Sequence, residues 1–225
     1  MESGSRDGTT EDLESLIATT DAELLRRAWR NEKAAPEILR YEKHLVDRIE
    51  GQIQLMEETV DDYTETGVDP LTVSLYQMDL DRTQFLLRSY LRTRLLKIER
   101  FILHILKTDE LHERLSDKEK IFARRCAGVI GKHLDDSVLL NLPENYQSAL
   151  RQSTTSEEDD MVLEPRLDTF VVCKAREYIS PSEFQDDSNS SLSMDLILEM
   201  EPGELSFIPY RRVQRLLESG KLEMV

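Results

Sequence analysis

The chain has 225 residues and a formal net charge of −16, from 45 acidic and 29 basic side chains. This length bounds it to one or two domains. A protein this acidic is repelled by phosphate at long range, which excludes general nucleic-acid affinity unless a basic patch is concentrated locally, and no apolar run approaches the roughly 20 residues that span a bilayer.

Hydrophobic residues make up 39% of the chain, leaner than the usual value of about 45–50% but enough for a core. The two cysteines, Cys126 and Cys173, form no CxxC pair. Their number and spacing fit a reducing compartment and two buried thiols.

Residues 1–19 read as an acidic, polar tail, neither a signal peptide nor a transit peptide. Leu13, Leu16 and Ile17 within it form a short amphipathic pattern, a candidate docking motif for a partner groove; the plainer reading is a disordered tail. Thr20 and Glu23 have capping-box spacing and predict a helix carrying Leu24, Leu25, Ala28 and Trp29. Pro36 interrupts or restarts it. In a second helix, Tyr41, Leu45, Ile49, Ile53, Met56, Val60 and Tyr63 recur every three or four residues as one stripe. Gly67 ends that helix, and Asp69-Pro70 opens a third.

The third helix is predicted to run from Pro70 to about Leu111. Its apolar residues Phe85, Leu86, Leu87, Tyr90, Leu95, Phe101 and Leu106 spread around most of the helical circle. A helix apolar on nearly all sides must be covered on nearly all sides. This chain has few other helices, so the expected cover comes from other chains. Arg82, Arg88, Arg92, Arg94, Lys97 and Arg100 are scattered around the axis, a pattern that favours pairing with acidic side chains over a phosphate-tracking face. Ser116 and Glu119 form a second capping box, opening a helix whose stripe is Phe122, Cys126, Val129 and His133. Pro143 closes it.

Residues 148–165 read as an acidic, Ser/Thr-containing linker. Thr154, Thr155 and Ser156 each have an acidic residue three positions on, a pattern favoured by acid-directed kinases. Strands are then predicted at Thr169–Cys173, Leu192–Met200 and Glu204–Ile208. A short helix from Tyr210 to Ser219, closed by Gly220, and a last strand over Lys221–Val225 complete the chain. The fold class is therefore α+β. A flexible tail (1–19) precedes an all-helical domain (20–147) of about four helices with one long and central. The linker (148–165) and a small β-rich domain (166–225) follow.

Nothing in the sequence assembles a catalytic, cofactor-binding or metal-binding set. HExxH, P-loop, GxGxxG and GxSxG patterns are absent. The histidines His44, His104, His112 and His133 are scattered, and His133 reads as a satisfied core or interface residue. Glu57, Glu58, Asp61 and Asp62 read as a solvated helix face. The expectation is a protein that is not an enzyme.

Several segments carry a resemblance: Ala28–Leu39 with its W-x-N-E-K-x-A-P-E pattern, Gln77-Met78, Ser89–Glu99 with Y-L-R-x-R-L-x-K-I-E, Asn141–Pro143, Pro165–Val171 and Leu216–Leu222. Together they resemble the GINS family of replication factors, in its Sld-five branch, over about residues 20–225. The resemblance implies a non-catalytic scaffold subunit of a heterotetramer with three sister GINS subunits. It also implies binding to the MCM ring helicase and its co-activator in the nucleus, with links to DNA polymerase epsilon and a trimeric fork hub. No cofactor, membrane contact or substantial direct nucleic-acid binding is implied. On this reading Trp29, Phe85, Tyr90, Leu91, Leu95 and Phe101 form the helical subunit interface, with Arg94 and Lys97 in polar contacts at its rim. Tyr210, Leu216 and Leu217 serve the C-terminal domain as core or docking residues. The residues alone leave two other readings open, a helical homodimeric adaptor and a direct DNA-binding accessory module.

Overall fold

A computed structural model describes residues 20–156, 158–184 and 199–225. The expected strand Leu192–Met200 falls mostly outside them, as do Leu13, Leu16 and Ile17. Among the described residues there are seven α-helices and three strands. The chain divides into two compact units, Met1–Trp29 with Glu42–Tyr90 and Arg30–Tyr41 with Leu91–Val225.

In the first unit, helix α1 (Asp21–Ala34) begins at Thr20, whose Oγ1 accepts the Glu23 amide at 3.3 Å. Helix α2 (Lys43–Glu65) buries Leu45, Ile49 and Val60 of the predicted stripe together with Val46, while Ile53, Met56 and Tyr63 are half-buried. Gly67 follows at φ 71°, a left-handed position that glycine takes without a Cβ clash. Pro70 opens helix α3 (Pro70–Arg100). Asp21 accepts hydrogen bonds from Arg48 Nη2 at 2.7 Å and Gln52 Nε2 at 2.9 Å, linking the first turn of α1 to α2.

In the second unit the predicted long helix is corrected. Helix α3 stops at Arg100, and Phe101 takes φ −111° and ψ 27°. Two short helices follow, α4 (Ile102–Lys107) and α5 (Asp109–Glu113), separated by an extended Thr108. Packing explains the breaks. Ile98, Phe101, Ile105, Leu111 and Leu115 share one core with Ile38 and Ala123. On a straight helix Leu111 would project about 140° away from Ile98.

The capping box of helix α6 (Asp117–Ser137) is reciprocal: Glu119 N donates to Ser116 Oγ, and Ser116 N donates to Glu119 Oε2. Only the first turns of α6 are covered. Glu119 and Ala123 are buried, Cys126 is half-buried and His133 is exposed. The expectation of a buried Cys126 thiol is thus corrected, and His133 is not a core residue, because the described residues supply little cover beyond the helix midpoint. An interface role for His133 stays an expectation.

The C-terminal sheet is antiparallel in the order β2-β1-β3, with β1 (Phe170–Ala175) central between β2 (Leu205–Pro209) and β3 (Leu222–Met224). Val171 pairs with Ile208 and Cys173 with Met224. The period-two pattern of β1 sends Val171, Cys173 and Ala175 inward. Helix α7 (Tyr210–Glu218) covers this face with Tyr210, Val213 and Leu216, and Gly220 at φ 79° turns the chain into β3. Ala35, from the connector after α1, completes the same core.

Candidate functional site

Arg94 and Lys97 are three residues apart on α3 and so share a face. Arg94 does not lie at a rim, and Lys97 is half-buried. The Arg94 side chain is 0% exposed, and its partners come from its own chain. Nε and Nη2 form a fork on the two carboxylate oxygens of Glu119, at 2.7 and 3.1 Å. Nη1 reaches Glu32 Oε2 and the Leu39 carbonyl, each at 2.8 Å, and Nη2 also donates to the Arg114 carbonyl. The Tyr41 ring lies 5.4 Å from the guanidinium carbon. Lys97 Nζ donates to Glu32 Oε1 at 2.9 Å, to the Glu37 carbonyl at 2.7 Å and to the Glu32 carbonyl. Burial pushes its ammonium below its ordinary pKa, and the Glu32 carboxylate pushes back.

A second node adjoins the first through Arg114. Its guanidinium pairs with Glu37 at 3.1 Å, Glu110 at 3.1 Å and Glu218 at 3.2 Å. Burial opposes the charge on Arg114, and Glu37 leads the groups that hold its pKa above the ordinary value. Glu37 also accepts the Tyr210 hydroxyl at 2.8 Å. Asn31 Oδ1 accepts the Met224 amide at 2.8 Å. Asn31, Glu32, Ala35 and Glu37 of the first quoted motif, at the end of α1 and in the connector after it, therefore tie that segment to α3, to Arg114 and to the sheet domain. Sequence reading expected acidic partners for Arg94 and Lys97 but did not single out Glu32, Glu37 or Glu119, which lie 25 to 65 positions away in the chain.

Among the described residues three sets of apolar side chains stay exposed. In the first unit, Leu71, Leu75, Met78 and Phe85 of α3 are all exposed, Phe85 by 63%. Helical geometry places them within about 80° of arc. In the second unit, Leu95 and Leu96 of α3 are exposed, as are Ile121 and Val129 of α6, Val129 by 70%. The outer sheet face carries exposed Phe170, Val172, Leu205 and Phe207. Val172 faces Phe207 across the strands, and the Phe170 and Phe207 rings stack with centroids 5.0 Å apart. Contiguous apolar surface, such as the α3 face of the first unit and the outer sheet face, marks interaction sites on soluble proteins.

The residues expected at the helical interface separate into two groups. Tyr90, Arg94 and Phe101 are buried, while Trp29, Leu91 and Lys97 are half-buried. Phe85 and Leu95 are exposed. In the sheet domain, Tyr210 and Leu216 are core, and Leu217 packs against that core while half-buried. Among the described residues no group of His, Cys, Asp and Glu side chains could hold a metal ion, and no helix is long and apolar enough to cross a membrane.

Fold and surfaces together define a class: a helical bundle followed by a small antiparallel sheet domain, with apolar faces presented to solvent. Comparison with known proteins gives the family. Residues 52–137 match the GINS complex protein helical bundle domain, and residues 165–225 match the DNA replication complex GINS protein SLD5 C-terminus. A protein of Arabidopsis thaliana named DNA replication complex GINS protein SLD5 is 56% identical over 225 residues, covering all of both chains. Proteins of the same name from Bos taurus and Homo sapiens are each 30% identical. The alignments cover 97% of this chain and 95% of the bovine one, and 93% of this chain and 92% of the human one. The chain belongs to the SLD5 family of GINS proteins.

Proposed function

We propose that this protein is a non-catalytic scaffold subunit of a heterotetrameric GINS complex, assembled with three sister subunits in the nucleus. The complex joins the MCM ring helicase to its co-activator to form the active replicative helicase, and it contacts DNA polymerase epsilon and a trimeric fork hub. The observation that carries this reading is the uncovered α3 face of Leu71, Leu75, Met78 and Phe85. Burying one Leu or Phe contributes about 1.5–3 kcal/mol, so a few such residues on one face suffice for an obligate interface. Phe85 and Leu95 keep their proposed interface roles directly. Tyr90, Arg94, Lys97 and Phe101 act beneath the surface by fixing the shape of α3. The outer sheet face is the proposed docking surface of the C-terminal domain.

Co-expression with the three sister subunits tests the proposal. The expected product is one species with the mass of a 1:1:1:1 complex, while the chain expressed alone aggregates or self-associates. A cooperative monomer that ignores its sisters overturns the reading. A stable homodimer that excludes them replaces it with the adaptor.

A further inference from the structure

We propose that Thr155 is a phosphorylation site for an acid-directed serine/threonine kinase, presented at the tip of a closed loop. The loop runs from Leu150 to Met161, and its neck is stitched at several points. The Met161 amide donates to the Leu150 carbonyl at 3.0 Å, and the Gln152 amide donates to Asp160 Oδ1 at 2.7 Å. Asp159 is gripped by Arg151 Nε at 2.9 Å and by Lys107 Nζ at 2.7 Å. These cations, Arg151 first, hold its carboxyl below the ordinary pKa. Beyond the neck the described residues have irregular backbone, and Thr154, Thr155 and Glu158 are exposed. A tip of small polar residues on exposed, irregular backbone is what an enzyme needs in order to draw a segment into its cleft.

Among the described residues the acid-at-third-position pattern recurs, and the structure separates its instances. Thr154 is exposed, but its amide donates to the Asn145 carbonyl at 3.1 Å, which pins its backbone, and its third-position acid, Glu157, lies outside the described residues. Thr20 and Ser116 are helix caps whose hydroxyl oxygens already accept backbone amides. Thr59 and Thr66 donate to helical carbonyls of α2. Ser180 donates to the very acid that would direct a kinase, Glu183. Ser156 is half-buried and donates to Asp160. Thr155 instead bonds only to the neighbouring Ser153 hydroxyl, at 2.7 Å, an exchange between two surface hydroxyls that water readily replaces. Its third-position acid, Glu158, is exposed, and Asp159 and Asp160 extend the acidic run.

In the reaction, Thr155 Oγ1 attacks the γ-phosphorus of ATP. The new O–P bond forms as the bond from phosphorus to the β–γ bridging oxygen breaks. ADP leaves with that electron pair, and the hydroxyl proton passes to the base of the kinase. The product gains a charge of roughly −1.5 to −2, one residue from Ser156 and its partner Asp160. Repulsion of the neck carboxylates then loosens the loop.

The test treats the full chain with a purified acid-directed kinase of the casein kinase 2 type and ATP, and maps phosphate by mass spectrometry. The expected result is one major phosphate on Thr155, lost in Thr155→Ala and formed severalfold more slowly in Glu158→Gln. Hydrogen exchange at the Gln152 and Met161 amides should quicken severalfold in the phosphorylated chain. An unmodified Thr155, a rate indifferent to Glu158→Gln, or phosphate concentrated on Thr154, Ser156, Thr20, Thr59, Thr66, Ser116 or Ser180 overturns the site. Unchanged exchange overturns the loosening.

Discussion

The hydroxyl of Tyr210 donates to Glu37 Oε1 at 2.8 Å, joining residues 173 positions apart in the chain. Both side chains are buried, and Glu37 is shared with Arg114 at 3.1 Å. Burial, with Glu37 beside it, holds the phenol far above its ordinary pKa, so it stays a donor. Tyr210→Phe keeps the ring in the sheet core and removes only the hydroxyl. A hydrogen bond to a charged group is worth about 1.5–3 kcal/mol, and urea unfolding of the variant should show a loss of that size. A loss near zero would mean that the sheet domain does not depend on this bond.

Arg94 is the most heavily engaged cation of the structure's core. Its removal in Arg94→Ala strands Glu32 and Glu119 with too few donors. Breaking one partner out of a buried pair costs about 3–5 kcal/mol. Arg94→Lys keeps the charge but cannot form the fork on Glu119, so it should fall between alanine and the native chain. Denaturation midpoints of the three proteins give the order directly. A change under about 1 kcal/mol, the level of an exposed pair, would contradict the burial described above.

The Asp21 carboxyl lies below its ordinary pKa of 3.8, first because Arg48 donates to it. A lowered carboxylate pKa adds stability that is fully present above 3.8 and is lost as pH falls through the folded-state value. Asp21→Asn should therefore be less stable than the native chain at neutral pH, and the gap should close as both are acidified. Paired thermal melts across that range measure it. A gap that persists in acid would point to shape, not charge, as the contribution of Asp21.

Burial pushes the Cys173 thiol up to about 11, and the side chain sits at 0% exposure in the sheet core. Thiolate is the reactive species, so iodoacetamide should label Cys126 in the native chain and leave Cys173 untouched until denaturant is added. Peptide mapping of the alkylated cysteines decides this. Fast native labelling at Cys173 would show that the sheet domain opens readily.

Phe85 is exposed on the same face as Leu71, Leu75 and Met78. Phe85→Asp should raise the solubility of the isolated chain and weaken assembly with the sister subunits by tenfold or more, the scale of a central interface residue. Titration of the variant into the other subunits provides the measurement. Unchanged assembly with improved solubility would move the interface off this face.

The local elements were legible in the sequence because their causes are local. Capping residues at Thr20 and Ser116, Gly67 and Gly220 at left-handed turns and the three-and-four spacing of Leu45, Ile49 and Val60 need only near neighbours to act. The α+β order followed from a change of period. The breaks at Phe101 and Thr108 were not legible: they arise because Leu111 and Leu115 must reach a core that also holds Ile38 and Ala123.

The sequence by itself determined that α3 carries more apolar surface than one face can hide, and that its cations need anions. Only the tertiary structure decided the division of roles. Arg94 and Lys97, read as rim residues, turn inward because Glu32 and Glu119 arrive from segments 62 and 25 positions away. Phe85 stays outside because none of the described residues returns to cover it. Side-chain type states what each residue requires, and the path of the chain determines which partner meets that need.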